Sequence, residues 1–81
     1  MAHVLLFGRL ADVAGWRERA FDPAPATLFA LKSLIADGDA GLAAALDAPG
    51  VRAAVDRTLI SGDAALTDGA EVAFLPPMSG G

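Results

Sequence analysis

The sequence predicts an α+β fold in which a mixed sheet carries one main helix on one face. Short strand-like segments with alternating apolar residues lie near both ends of the chain, and an amphipathic helical segment lies between them. With 81 residues and a mass of 8.2 kDa, the chain forms one domain with one modest core. A hydrophobic content of 54% and a mean hydropathy of +0.49 are unlike the composition of disordered proteins.

The first third of the chain predicts a strand, a short helix and a second strand. Apolar residues run through positions 3–7 and stop at Gly8, which is typical of a strand buried on at least one face. Residues 9–14 form a short helix that Gly15 ends. Residues 16–21 form a second strand, which returns beside the first in a hairpin-like arrangement.

The main helix is predicted over residues 28–37, with Thr27 as its N-cap and Gly38 as the residue that ends it. A second short helix is predicted around residues 41–47, because two leucines lie one turn apart there. The apolar residues of the main helix recur at helical spacing and define its buried stripe: Leu28, Leu31 and Ile35, with Leu34 beside them.

The last third predicts three more strands, over residues 51–55, 58–61 and 71–75. Asp56 and Arg57 form a tight turn between the first two, and residues 67–69 form the turn before the last. If the helix crosses the sheet, the first and last strands lie adjacent and parallel in its middle, which is the β-grasp arrangement. We therefore predict a β-grasp domain over residues 1–75, followed by an extended tail over residues 76–81.

Charge and composition exclude several classes of function. The net charge of −4 and the pI of about 4.5 argue against binding of a phosphate backbone, so no nucleic-acid partner is expected. The acidity serves solubility or steers the chain toward a basic protein. No apolar run approaches the roughly 18 residues that span a membrane, and the first residues lack the features of a signal peptide, so we expect a cytoplasmic protein without a membrane partner.

The side chains offer no catalytic machinery. The sequence has no cysteine, and its one histidine, His3, reads as a strand-surface residue. Asp37 and Asp39 flank a helix end and are expected to be solvated. The stretch GRLADVAG lacks the Lys-Ser/Thr that follows the glycines of a phosphate-binding loop. No metal-ligand spacing is present, and we predict no metal and no cofactor bound by this chain.

The ending PPMSGG is the remaining candidate for chemistry. Pro76 and Pro77 end the sheet and form a stiff spacer, while Gly80 and Gly81 have no side chain that a narrow channel would reject. A carboxylate on Gly81 is a poor electrophile until it is activated, most simply as an acyl-adenylate made by a partner that uses ATP. The alternative is a frayed end without a role.

A second candidate is the sheet face that points away from the helix. Strand alternation places apolar side chains there, namely Leu5 or Phe7, Leu59, Ala73 and Leu75. An uncovered apolar face on a small protein usually marks an interface. Alternatively, a loop or the short helices cover it.

Three segments of the chain, VLLFGRLADVAG, RTLIS and LTDGAEVAFLPPMSGG, resemble the small subunit of molybdopterin synthase, a family of MoaD-type ubiquitin-like sulfur carriers. The resemblance covers nearly the whole chain. It implies that an E1-like enzyme adenylates Gly81 and that the product becomes a thiocarboxylate. The tail, residues Met78, Ser79, Gly80 and Gly81, then enters the active site of a large subunit, and the sulfur attacks cyclic pyranopterin monophosphate.

The resemblance also implies partners and an interface. A hydrophobic sheet surface contacts both the large subunit and the activating enzyme, and a heterotetramer with two large subunits is expected. The chain itself is then a sulfur donor rather than a catalyst. Two alternatives remain, a carrier for a related pathway such as thiazole synthesis and a ubiquitin-like modifier that forms isopeptide bonds. The residues assigned to the interface are Phe7, Leu59, Leu75, Pro76 and Pro77.

Overall fold

The computed structural model describes residues 1–77 of the chain. Met78, Ser79, Gly80 and Gly81, which include the predicted reactive residue, lie outside the described residues. The described part contains five strands and three helices in the order β1 (Ala2–Leu6), α1 (Arg9–Ala14), β2 (Glu18–Phe21), α2 (Leu28–Ile35), α3 (Ala40–Leu46), β3 (Arg52–Val55), β4 (Thr58–Ile60) and β5 (Glu71–Leu75).

The strands form one mixed sheet in the order β2-β1-β5-β3-β4. The central strands β1 and β5 are parallel, whereas β2 pairs with β1, and β3 with both β5 and β4, in antiparallel fashion. This is the predicted β-grasp arrangement, with the first and last strands side by side. The hairpin-like return is also confirmed, although β2 begins at Glu18, two residues later than predicted.

One core lies between the sheet and the three helices. The central strands contribute alternate residues, such as Val4 and Val72, which are fully buried. Each helix contributes to the same cluster, so all three helices pack on the same face of the sheet. The helix residues buried in that cluster are Leu10 and Ala11 of α1, Leu28, Leu31 and Ile35 of α2, and Leu42 and Leu46 of α3.

Helix α2 begins as its sequence predicts and ends earlier. The Thr27 Oγ1 accepts a hydrogen bond from the backbone N–H of Ala30 at 3.2 Å, which satisfies one free donor of the first turn. The helix ends at Ile35 and continues as turns, so the predicted extension to residue 37 is wrong. Leu34 is 47% exposed. At about 100° per residue it lies about 90° from the centre of the buried stripe, too far to reach the core.

The β3–β4 hairpin is closed by Asp56 and Arg57 with positive φ angles of 49° and 68°. Both signs match a type I′ turn, the two-residue turn that suits the twist of a hairpin. Asp56 also joins the hairpin to β5, because its Oδ1 accepts from the Glu71 N–H and its own N–H donates to the Glu71 carbonyl, at 2.9 and 2.8 Å. The predicted turn is confirmed, and these two bonds hold it in place.

None of the helices within residues 1–77 is long and apolar enough to cross a membrane.

The turn generates a stability prediction. Arg57→Gly removes the strain of an arginine at positive φ, and we expect the free energy of unfolding to rise by about 0.5–1 kcal/mol. Urea denaturation followed by circular dichroism measures it. The control is Arg17→Gly, at an exposed site without positive φ, which should lower stability because glycine adds freedom to the unfolded chain. Equal losses in both variants would contradict a strained turn.

Candidate functional site

The tail leaves the domain from the strand in the middle of the sheet. Strand β5 is hydrogen-bonded to β1 on one side and to β3 on the other, and its last residue, Leu75, pairs with Arg52. The Phe7 N–H donates to the Phe74 carbonyl at 3.2 Å, beyond the end of β1. Pro76 and Pro77 then follow, and they have no N–H with which to continue either ladder. The direction in which the tail starts is therefore set from both sides.

Two glycines flank the two prolines. A Cβ built on Gly8, directly after β1 and Phe7, would lie 3.0 Å from the Pro76 Cγ. A Cβ built on Gly50, shortly before β3, would lie 3.0 Å from the Pro77 Cβ. Both distances are shorter than ordinary van der Waals contact between carbon atoms. The proline rings thus pack against bare backbone on either side of the exit from the sheet.

The face of the sheet opposite the helices carries an apolar surface, which we call the open face. Its central row crosses four strands through the paired residues Leu5, Ala73, Ala54 and Leu59. Leu59 is 55% exposed and Phe7 is 45% exposed, while Leu75 is half-buried. Within residues 1–77 neither the short helices nor a loop covers these side chains, because α1 and α3 belong to the core on the other face.

The structure brings four of the five predicted interface residues, Phe7, Leu75, Pro76 and Pro77, together at one end of the open face. Phe7 and Leu75 each extend their strands one residue beyond the Leu6–Phe74 pair, so they adjoin the exit of the tail. Pro76 is half-buried and Pro77 is exposed at the base of the tail. The sequence alternation left Leu5 and Phe7 as alternatives, and both lie on this face, with Phe7 the more exposed. Leu59 lies farther away, on the edge strand β4.

Charged residues border the open face with opposite signs at its two ends. Arg52 of β3 is paired with Leu75, the last residue of β5, near the exit of the tail. Glu71, the first residue of β5, is paired with His3 at the other end of the sheet. Glu18, paired with Leu5, borders the β2 edge. Such a rim adds little affinity by itself, but it favours one orientation of a docking partner over the reverse.

The described side chains provide no other reactive centre. Residues 1–77 contain no buried polar or charged side chain and no group of three or more His, Asp or Glu residues that could hold a metal. His3 is exposed on β1, in line with its prediction as a surface residue. The Met1 amino group, which donates to Asp68, lowers the pKa of that carboxyl, but Asp68 lies before β5, at the end of the sheet opposite the tail.

The described residues also line a groove. It has a volume of about 640 Å³ and opens between α2 and the β3–β4 hairpin, where Phe29, Lys32 and Arg52 contribute to its walls. Its lining includes no histidine and no carboxylate.

Sequence reasoning missed the role of the two flanking glycines. The sequence indicates Gly8 only as the residue at which the first strand stops, and it gives no signal that assigns a contact to Gly50. The pairing of β5 with β1 and β3 indicates the contact, whereas neither glycine does so by itself. Once β5 is placed between β1 and β3, the residues after β1 and before β3 must flank positions 76 and 77.

Comparisons with known proteins agree with this geometry. The sequence profile described as the ThiS family matches residues 4–81. The chain is 38% identical over 81 residues to the molybdopterin synthase sulfur carrier subunit of Escherichia coli (strain K12), and the alignment covers 100% of both chains. The crystal structure of SAMP1 from Haloferax volcanii is similar with a TM-score of 0.71 at 28% identity, over 99% of this chain and 98% of that chain.

Truncation of a phenylalanine is expected to lower the free energy of unfolding much more on the core face of the sheet than on the open face. Phe74→Ala empties a site that is 1% exposed, and we expect it to lower the free energy of unfolding by about 3–5 kcal/mol. Phe7→Ala removes a half-exposed ring on the open face and should cost less than about 1 kcal/mol. Chemical denaturation measures both. A loss for Phe7→Ala as large as that for Phe74→Ala would show that the open face is part of the core.

Proposed function

The chain belongs to the ThiS family, and we propose that it is a sulfur carrier that serves as the small subunit of a molybdopterin synthase. The observation that carries the proposal is the match to the Escherichia coli sulfur carrier subunit, whose alignment spans the full length of this chain and therefore reaches its PPMSGG ending. The structure supports it through the exit of that ending from a rigid central strand. The reactive group is the carboxylate of Gly81.

The carboxylate reacts only after a partner has activated it. An oxygen of Gly81 attacks the α-phosphorus of ATP and displaces pyrophosphate, which leaves an acyl-adenylate. Hydrosulfide then attacks the carbonyl carbon and expels AMP, which leaves a thiocarboxylate on Gly81. An E1-like partner binds the ATP in this scheme. The absence of a phosphate-binding loop in this sequence fits such a division of labour.

The tail then delivers the sulfur to a second partner. Met78, Ser79, Gly80 and Gly81 span at most about 14 Å when extended, which is enough to reach a recessed active site while the domain stays outside. Glycine at the last two positions keeps the chain thin where it enters. The sulfur attacks a carbon of cyclic pyranopterin monophosphate in the large subunit, and water then cleaves the bond between that sulfur and the Gly81 carbonyl carbon, which returns Gly81 to a carboxylate. Two carriers in turn supply the two sulfurs of the dithiolene. The catalytic site belongs to the large subunit.

The open face is the docking surface in this proposal. Phe7 and Leu75 lie beside the tail, and Leu59 extends the apolar surface toward β4, so a partner that receives the tail can also cover these residues. Pro76 and Pro77 form the border between the docking surface and the inserted segment. If the activating enzyme and the large subunit use the same face, they bind in turn, and the carrier must dissociate from one before it reaches the other. The expected assembly is a heterotetramer with two large subunits.

Loss of Gly81 tests the chemistry. A chain that lacks Gly81 should melt at the temperature of the full chain, because every core residue lies within residues 2–74. After incubation with the activating enzyme, ATP and a sulfur source, intact mass should show exchange of one oxygen for sulfur in the full chain but not in the shortened one. Molybdoenzyme activity in cells with the shortened chain as sole carrier would contradict the proposal.

The same mass measurement separates the sulfur carrier from a protein modifier. A modifier would appear as amide-linked adducts on amines of other proteins. Within this chain Lys32 is the only lysine, and its Nζ is paired with the Asp47 Oδ1 at 3.0 Å. A Lys32→Arg variant therefore identifies adducts of the chain with itself. Adducts on amines without a thiocarboxylate would favour the modifier.

The docking surface is tested by a matched pair of phenylalanines. Phe7 on the open face is 45% exposed, and Phe29 on α2, a helix that packs on the other face of the sheet, is 52% exposed. We expect Phe7→Ser to weaken binding to the large subunit by about tenfold or more, since a central aromatic contact is often worth over 1.4 kcal/mol. Phe29→Ser should leave it unchanged. Calorimetric titration measures both, and equal effects would rule out the open face as the docking surface.

A further inference from the structure

We propose that Gly8 and Gly50 are positioning residues that fix the direction in which the tail leaves the sheet. The inference rests on the proposed function, because direction matters only if the tail must enter a partner. It assigns no chemistry to the glycines. They act through Pro76 and Pro77, which they hold from both sides.

Gly8 forms the wall on the β1 side. Its φ of 55° and ψ of −131° lie in a region that side-chain-bearing residues almost never adopt. A Cβ there would approach three atoms of the Pro76 ring, at 3.0 Å for Cγ, 3.8 Å for Cβ and 4.0 Å for Cδ. The ring therefore lies across the glycine backbone. The 3.2 Å hydrogen bond from the Phe7 N–H to the Phe74 carbonyl holds this backbone against β5.

Gly50 forms the wall on the β3 side. Its φ is 88°, and a Cβ there would lie 3.0 Å from the Pro77 Cβ, 3.5 Å from its Cγ and 3.6 Å from its Cα. The loop that carries it is closed by a hydrogen bond of 3.2 Å from the Val51 N–H to the Ala48 carbonyl. The contact that a methyl group on Gly50 would make too close is therefore the one with the Pro77 Cβ, whereas 3.6 Å to the Pro77 Cα is an ordinary van der Waals distance.

The close approach of Gly8 and Gly50 to the two prolines does not follow from a positive φ alone, as the other loop glycines with positive φ show. A Cβ on any of them would meet nothing within 4 Å. Their conformation requires glycine, but their surroundings do not. Among the positive-φ glycines of residues 1–77, only Gly8 and Gly50 also have a neighbouring atom within 4 Å of the position that a Cβ would occupy. The glycines without a close contact are Gly15, Gly38, Gly62 and Gly69.

A small change of direction at Pro77 becomes a large one at the end of the tail. If a partner holds the four residues beyond it in an extended form, they span about 14 Å, and a tilt of about 20° at Pro77 then displaces Gly81 by about 5 Å. Misplacement of a reacting atom by about 1 Å can lower a rate by about 100-fold. The contacts of Gly8 and Gly50 with the prolines are therefore expected to affect the rate of sulfur transfer more than the affinity of a partner for the open face.

The test compares Gly50→Ala with Gly69→Ala. The two glycines have φ angles of 88° and 87°, but Gly69 lies in the turn before β5, at the opposite end of the sheet. Both variants should lower the melting temperature, because alanine is strained at either φ, and Gly50→Ala adds the close contact with Pro77. With thiocarboxylated chains, Gly50→Ala should slow single-turnover sulfur transfer by about tenfold or more while affinity for the large subunit changes less than about twofold. Gly69→Ala should change neither.

A second variant identifies the cause of the loss. Pro77→Gly removes the Cβ and Cγ that a methyl on Gly50 would meet, so adding Gly50→Ala to Pro77→Gly should lower the transfer rate no further. A loss that persists in that background, or equal rates in Gly50→Ala and Gly69→Ala, would overturn the positioning role.

The direction of the tail can also be measured without a sulfur-transfer reaction. The Cα–Hα residual dipolar couplings of Pro76 and Pro77 should change in Gly50→Ala and stay as in the wild type in Gly69→Ala. Unchanged couplings in Gly50→Ala would overturn the inference. Failure of the wild-type thiocarboxylate to donate sulfur would instead contradict the proposed function, so the two failures are distinguishable.

Discussion

The hydrogen bonding of β5 on both sides is the constraint on which the rest of the structure depends. A central strand parallel to β1 and antiparallel to β3 requires a crossover, and α2 and α3 lie in the connection between the two halves of the sheet. The same ladders hold the residue that precedes the tail. Because Leu75 is fixed from both sides and two prolines follow, the domain presents its last residues from a rigid base.

Because the core lies on one side of the sheet, the side chains on the opposite face remain exposed to a partner. An 81-residue chain can build only one modest core, and here all three helices contribute to it from the same side. Phe74 is buried in that core while its neighbour Leu75 points to the open face, as strand alternation requires. Burial and the proposed docking surface therefore use alternate residues of one strand. A substitution on the open face can alter binding while the core, and with it the direction of the tail, stays intact.

Local signals predicted most of the elements, whereas contacts between distant segments were harder to predict. The cap at Thr27, the helix end at Gly15 and the turn before β5 depend on neighbouring residues, and each was predicted from them. Leu34 was misplaced because a leucine near the stripe does not reveal its angle to the core. The contacts of Gly8 and Gly50 with the prolines were missed because they depend on a strand order that joins both ends of the chain. The chemistry of Gly81 was inferred from the ending and from resemblance, not from any side-chain cluster.

The central claim is that Gly81 carries the sulfur and that the folded domain only delivers it. Its most direct test is a single-turnover reaction between the chain prepared with a thiocarboxylate at Gly81, the purified large subunit and cyclic pyranopterin monophosphate, without ATP or the activating enzyme. The account predicts that intact mass shows each carrier returning to the carboxylate while the dithiolene forms. Carriers that keep their sulfur in the presence of an active large subunit would contradict it.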